Sequence, residues 1–131
     1  MHACDTNAFI WFITGDIRRL SRDARRVLDR AAAGRGVIHL SVASLQELAD
    51  LGRTRRLGRA WIWARWLEAA RGMRGLVIEP ITLDDVDHAR AFGELPDPFD
   101  RLIAGTACRL DLPLITANER LRRSPHVKVT W

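Results

Sequence analysis

Short apolar runs alternate along the chain with longer stretches in which apolar residues recur every three or four positions. The runs His2 to Asp5, Val37 to Leu40, Leu76 to Ile78, Leu112 to Thr116 and Val127 to Trp131 read as strands, the last of them at an edge. Between them the longer period predicts helices. Ala8 to Ile13 is apolar and helical until Gly15-Asp16 breaks it. Ser21 caps a second helix that buries Ala24, Val27, Leu28 and Ala31 and ends at Gly34. Ser41 to Ser44 turn the chain into a third, Leu45 to Leu51, where Ser44-Leu45-Gln46-Glu47 matches a capping box. Thr82-Leu83-Asp84-Asp85 opens another with acids in its first turn, and Ala117 to Leu121 makes a short one. Strands separated by helices predict an α/β fold around a central, mostly parallel sheet.

The central helix is the one that begins at Asp97-Pro98, after the loop Gly93 to Pro96. Proline at the first helical position costs no hydrogen bond, and the aspartate before it is a good cap. Phe99, Leu102, Ile103, Thr106, Ala107 and Leu110 then form one apolar stripe. Asp100 projects beside that stripe, toward the interior edge, where a charge is expensive unless it has a partner.

Composition narrows the class. A chain of 131 residues, 47% hydrophobic, supports one domain with a real core, taken as 1–131. No apolar run approaches the roughly 20 residues that span a bilayer. The N-terminus lacks the basic-then-apolar order of a signal peptide, so no membrane association and a cytoplasmic location are expected. Cys4 and Cys108 have no metal-ligand spacing and are expected as thiols. His88 lacks an i+4 partner and reads as a surface residue. The net charge of +5 divides into +7 over residues 1–75 and −2 over 76–131. A basic half beside an acidic half suits a phosphate-rich partner steered toward cation-binding carboxylates. All but one of the 21 basic residues are arginine, a skew that genome composition can also produce.

Three carboxylates are predicted near the carboxyl edge of the sheet. Asp5 ends the first strand, Glu47 lies in the first turn of the third helix and Asp100 opens the central one. Each has a plain alternative as a helix cap or a first-turn acid. Their common placement points instead to a shared site for Mg²⁺ or Mn²⁺, since oxygen ligands without His or Cys select hard cations that also bind phosphate oxygens. Such a site hydrolyses phosphodiesters by activating water. From Arg53 to Arg74 seven arginines interleave with Trp61, Trp63 and Trp66. Trp63, Trp66, Leu67 and Ala70 make one stripe and Trp61 and Ile62 fall elsewhere, so a second, partner-covered surface is expected on this helix, the alternatives being RNA bases stacked on the indoles or a deeper core.

The blocks Asp5-Thr6-Asn7, Ser44-Leu45-Gln46-Glu47-Leu48-Ala49, Asp97-Pro98-Phe99-Asp100-Arg101-Leu102-Ile103-Ala104 and Leu114-Ile115-Thr116-Ala117-Asn118-Glu119-Arg120 together resemble the PIN-domain ribonucleases of the VapC toxin type. The resemblance covers nearly the whole chain and keeps the order and spacing of the blocks. It implies a PIN-like α/β/α sandwich, a Mg²⁺- or Mn²⁺-dependent endoribonuclease, an RNA substrate and a cognate antitoxin from a toxin-antitoxin pair. It assigns the catalytic and metal-binding acids to Asp5, Glu47 and Asp100, with Asp97 a frequent neighbour; the Trp/Arg helix, by its excess of apolar faces, is expected to make homodimer or antitoxin contact. Thr6, Asp97, Thr116 and Asn118 are expected around the acids. The family often carries a further Asp where this chain has Asn118, which brings no charge for a second metal. The competing reading is a non-enzymatic PIN-fold binding module with a weakened metal site. A receiver domain is excluded because paired acids after the first strand and a third-strand Asp are absent, and an Asp-x-Asp phosphatase because the sequence is Asp5-Thr6-Asn7.

Overall fold

A computed structural model of the protein describes residues 1–53 and 60–131. The first strand, β1 (His2–Cys4), leads into α1 (Thr6–Ile13), a 3₁₀ turn over Ile17–Arg19 and α2 (Arg22–Ala32). β2 (Ile38–Ser41) is followed directly by α3 (Val42–Arg53), and α4 (Ala60–Gly72) by β3 (Leu76–Glu79). α5 (Leu83–Ala89), a 3₁₀ turn over Arg90–Phe92, α6 (Pro98–Arg109), β4 (Leu114–Ile115), α7 (Glu119–Arg123) and β5 (Val129–Thr130) complete the chain. The sheet is parallel throughout, in the order β3-β2-β1-β4-β5. The expected strands and helices all form, with the last two strands shorter than the runs that announced them.

Alternation along the strands sends side chains to two cores. Cys4, Ile38, Leu40 and Ile115 join Phe9, Leu28, Trp66 and Met73 on the face covered by α1, α2 and α4. Ala3 and Leu114 join Phe92, Leu95, Ile103, Ala107 and Leu121 on the face covered by α6 and α7. The result is an α/β/α sandwich. Strand order reverses between β1 and β4, which is where an open parallel sheet forms a crevice beyond its carboxyl ends. Asp5 and Thr116 follow those two strands directly, and the backbone N–H of Asp5 donates to the carbonyl of Ile115.

Two local expectations are corrected. α3 begins at Val42, because the Ser41 hydroxyl accepts from the Ala43 N–H at 3.3 Å and so serves as the cap. The Ser44–Glu47 capping box does not form. Ser44 is fully buried inside the helix with its hydroxyl unpartnered, and Glu47 falls in the second turn. On α4 the buried stripe is Ile62, Trp66, Ala69 and Met73, one phase away from the expected one. Trp66 packs edge-on against Phe9, with ring centroids 6.0 Å apart, and is core rather than partner surface. Trp61, Trp63 and Leu67 do remain exposed. The part of the Trp/Arg segment over 54–59 lies outside the described residues.

The central helix is held close to α5 by a small residue. A Cβ on Gly105 would sit 2.2 Å from the carbonyl oxygen of Asp85, which is backbone and cannot swing away. Gly105→Ala should therefore cost about 1–3 kcal/mol by overpacking. A melting temperature equal to the parent's would show that α5 can move.

Candidate metal centre

The cap of α1 is Asp5, whose Oδ1 accepts from the Ala8 N–H at 2.7 Å. Its other environment is less favourable. Burial pushes the carboxyl up to about 6 against hydrogen bonds from the Thr116 hydroxyl and the Ala8 N–H, and the Asp100 charge pushes the same way. Glu47 arrives from α3 and accepts a hydrogen bond from the Thr6 hydroxyl. Burial raises it to about 7 despite that bond, helped by the charges of Asp100, Asp97 and Asp5. Asp100, in the first turn of α6, is also raised by burial and by Asp97, with the Asn118 amide opposing. Three carboxyl groups are thus held above their ordinary range at one place. Among the described residues no arginine or lysine pairs with any of them.

Asp5, Glu47 and Asp100 line one cavity of about 250 Å³, together with Thr6, Asn7, Trp11, Ala117 and Asn118. The tightest grouping is Glu47, Asp97 and Asp100, which can each offer an oxygen within 4.8 Å of the others. Asp97 has two attachments, since its Oδ1 also caps α6 by accepting from the Phe99 N–H at 2.8 Å. Asp5 lies at the buried side of the cavity, 8% exposed. Thr116 is fully buried; its hydroxyl donates to Asp5 and accepts from the Asn118 N–H at 3.0 Å. Asn118 caps α7 through its Oδ1 and donates from Nδ2 to Asp100 Oδ2 at 3.4 Å, so it is both a cap and a wall of the cavity. Sequence reasoning missed Asn7 and Trp11 as lining residues. They are spaced i, i+4 on α1, and that spacing, counted from a site residue's neighbour, was the available signal.

A hard dication fits this donor set. The oxygens converge, no base among the described residues neutralises them, and burial together with the neighbouring carboxylates makes their charged forms costly, a cost that a bound cation would relieve. This acidic crevice lies where the sheet order reverses, and the model of one family, the PIN domain, matches residues 3–127. The chain belongs to the PIN domain family. The likeness extends to solved structures, though at low sequence identity. VapBC2 from Rickettsia felis, bound to a DNA fragment from its promoter, matches with a TM-score of 0.72 and 18% identity over 98% of this chain and 96% of that one. DNA-bound VapBC from Salmonella typhimurium gives 0.70 and 19%, over 98% and 96%. A toxin-antitoxin complex from Klebsiella pneumoniae gives 0.67 and 22%, over 99% and 97%. No curated protein matches in sequence. These matches establish a shared PIN fold. Among the described residues no helix is long and apolar enough to cross a membrane.

Proposed function

We propose that this PIN domain is a Mg²⁺- or Mn²⁺-dependent endoribonuclease of the VapC type, the toxin of a toxin-antitoxin pair. The observation that carries the reading is the convergence of Glu47, Asp97 and Asp100 within 4.8 Å, beside the buried Asp5, with no balancing base among the described residues. Glu47 and Asp100 would hold the ion directly, and Asp97 and Asp5 complete the negative shell. A divalent ion held there supplies Lewis acidity to the phosphodiester and lowers the pKa of a bound water. The Thr6 and Thr116 hydroxyls keep Glu47 and Asp5 oriented, and Asn118 holds Asp100. With an amide at 118, the cluster carries the charge for one ion rather than two.

The partner reading follows from α4 and from the company the fold keeps. Solved structures with this fold include toxin-antitoxin complexes, and the exposed Trp61, Trp63 and Leu67 are the residue types that partners cover. The same face serves a homodimer equally well. An inert binding module is the alternative, and metal dependence separates the two. End-labelled RNA should be cut by the purified protein in Mn²⁺ or Mg²⁺ and left intact when EDTA is added. Equal cutting with and without EDTA would reject the metal site, and no cutting in any divalent ion would favour the binding module.

A further inference from the structure

Phosphodiester strands are repelled by the cavity as it stands, since four carboxylates face or flank it and no base among the described residues neutralises them. A strand that enters must be held by groups beside the acids. The described residues offer one such set at the rim. Trp11 lines the cavity with Asn7, one helical turn along α1. Trp11 packs against the core beside α1 and yet stays partly exposed, whereas Phe9 on the same helix is fully buried. Trp131, also partly open, lies against it with ring centroids 6.1 Å apart at 60°. Arg19 stands over the Trp11 ring, its guanidinium carbon 5.6 Å from the centroid. Its ion pair with Asp16 is exposed on both sides and weak. The neighbours of Arg19 in sequence, Ile17 and Leu20, line a groove of about 610 Å³ whose other walls include Arg22, Arg25 and Arg30.

We infer that Trp11, backed by Trp131 and Arg19, is the platform on which an unpaired base of the substrate stacks next to the scissile phosphate. The arginine groove along α2 then carries the adjoining backbone. The identity of the strand as RNA rests on the nuclease reading above; the platform itself does not. Aromatic faces and guanidinium planes bind splayed bases whatever their sequence, while a paired base has no free face to offer. Trp11 and Arg19 are positioning residues that align the strand over the acids.

Binding and cutting are measured separately. Fluorescent oligo(A) and an abasic ribose-phosphate strand of equal length are titrated into the cleavage-deficient Asp100→Asn protein, while cleavage of labelled RNA is followed with the parent in Mn²⁺. Oligo(A) should bind about 5- to 100-fold more tightly than the abasic strand. Trp11→Leu should erase that difference without changing affinity for the abasic strand or the salt slope, and Trp11→Phe should restore most of it. Arg19→Ala and Arg22→Ala should weaken both ligands, each making the salt slope shallower by about one. Equal affinity of the unsubstituted platform for oligo(A) and the abasic strand overturns the inference even if Trp11→Leu fails to fold. So does a Trp11→Leu protein that melts like its parent and still prefers oligo(A). A parent that prefers oligo(A) but never cuts RNA leaves the platform standing and removes the nuclease reading.

Discussion

Asp100→Asn should abolish metal-dependent RNA cleavage and yet make the metal-free protein more stable. The activity loss is expected to be on the order of 100-fold or more, since even the outer partners of a metal site cost 10- to 100-fold when removed. The stability gain comes from the crowding of charge. Glu47, Asp97 and Asp100 offer oxygens within 4.8 Å of one another, and a like pair about 5 Å apart repels by about 3 kcal/mol at an effective dielectric near 20. Relaxation and screening reduce this, so a net gain on the order of 1 kcal/mol is expected at neutral pH in EDTA.

The same charges give the metal-free parent an unusual pH dependence. Asp5 is raised to about 6 from 3.8 and Glu47 to about 7 from 4.5, in both cases chiefly by burial. Between those limits the folded state holds protons that the unfolded chain has released. Stability from these groups is thus full below the ordinary carboxylate range and is lost as pH rises through about 7. For the buried Asp5 alone the loss amounts to about 3 kcal/mol. Mn²⁺ should reverse it by binding the folded state. In Asp100→Asn the alkaline fall should be shallower, because one of the charges raising Asp5 and Glu47 is gone. Melting curves in EDTA across this range, paired with cleavage assays in Mn²⁺, check both halves. A variant less stable than its parent at neutral pH, or one that still cuts RNA, contradicts the account.

The sheet and the position of Asp5 and Asp100 were legible because they depend on local signals: short apolar runs, a proline at the first helical position, a carboxylate at a strand end. The start of α3 was not. Ser41 and Ser44 are equally good caps by type, and the choice fell to burial, which takes Ser44 into the core and leaves Ser41 to accept from Ala43. The phase of α4 was hidden for a related reason. Two stripes of tryptophan and alanine compete on that helix, and only the contact of Trp66 with Phe9, 57 residues earlier in the chain, selects one. Trp11 was read only as part of an apolar helical stretch because period alone cannot distinguish a core aromatic from one at the rim of a crevice. Asp97 was expected as a cap beside the acids and does cap α6, while Asn118 both caps α7 and donates to Asp100, a pairing across 18 residues that no local signal carries.

Arg109→Leu should be among the most destabilising single changes in the chain. Arg109 closes the far end of α6 by donating from Nε to Asp85 Oδ1 at 2.7 Å and from its terminal nitrogen to Glu79 Oε2 at 3.2 Å. Asp85 has no exposed side-chain surface, and it also accepts from the Thr82 N–H and hydroxyl in the capping box of α5. Glu79 is tied from its other oxygen to His39 Nδ1 at 2.7 Å. One guanidinium therefore fastens α6 to α5 and to the edge strand β3. Burial alone would raise Asp85, yet Arg109 and Thr82 hold it below the usual carboxylate range, and the His39 and Arg109 hydrogen bonds hold Glu79 low as well. Removing the arginine leaves the buried Asp85 and the partly buried Glu79 with hydrogen-bond donors but without their guanidinium counter-charge, for an expected loss of about 3–5 kcal/mol. Arg109→Lys, which keeps the charge but not the fork, should fall between the two. The sign with pH is opposite to that at the metal centre. Depressed carboxylates contribute stability above the ordinary range and lose it as pH falls through their folded values, so the parent should weaken in acid while the gap between parent and Arg109→Leu closes there. Urea unfolding at neutral and acidic pH measures both. A gap that stays constant as the carboxylates protonate would mean that Arg109 acts through packing of its stem rather than through its charge.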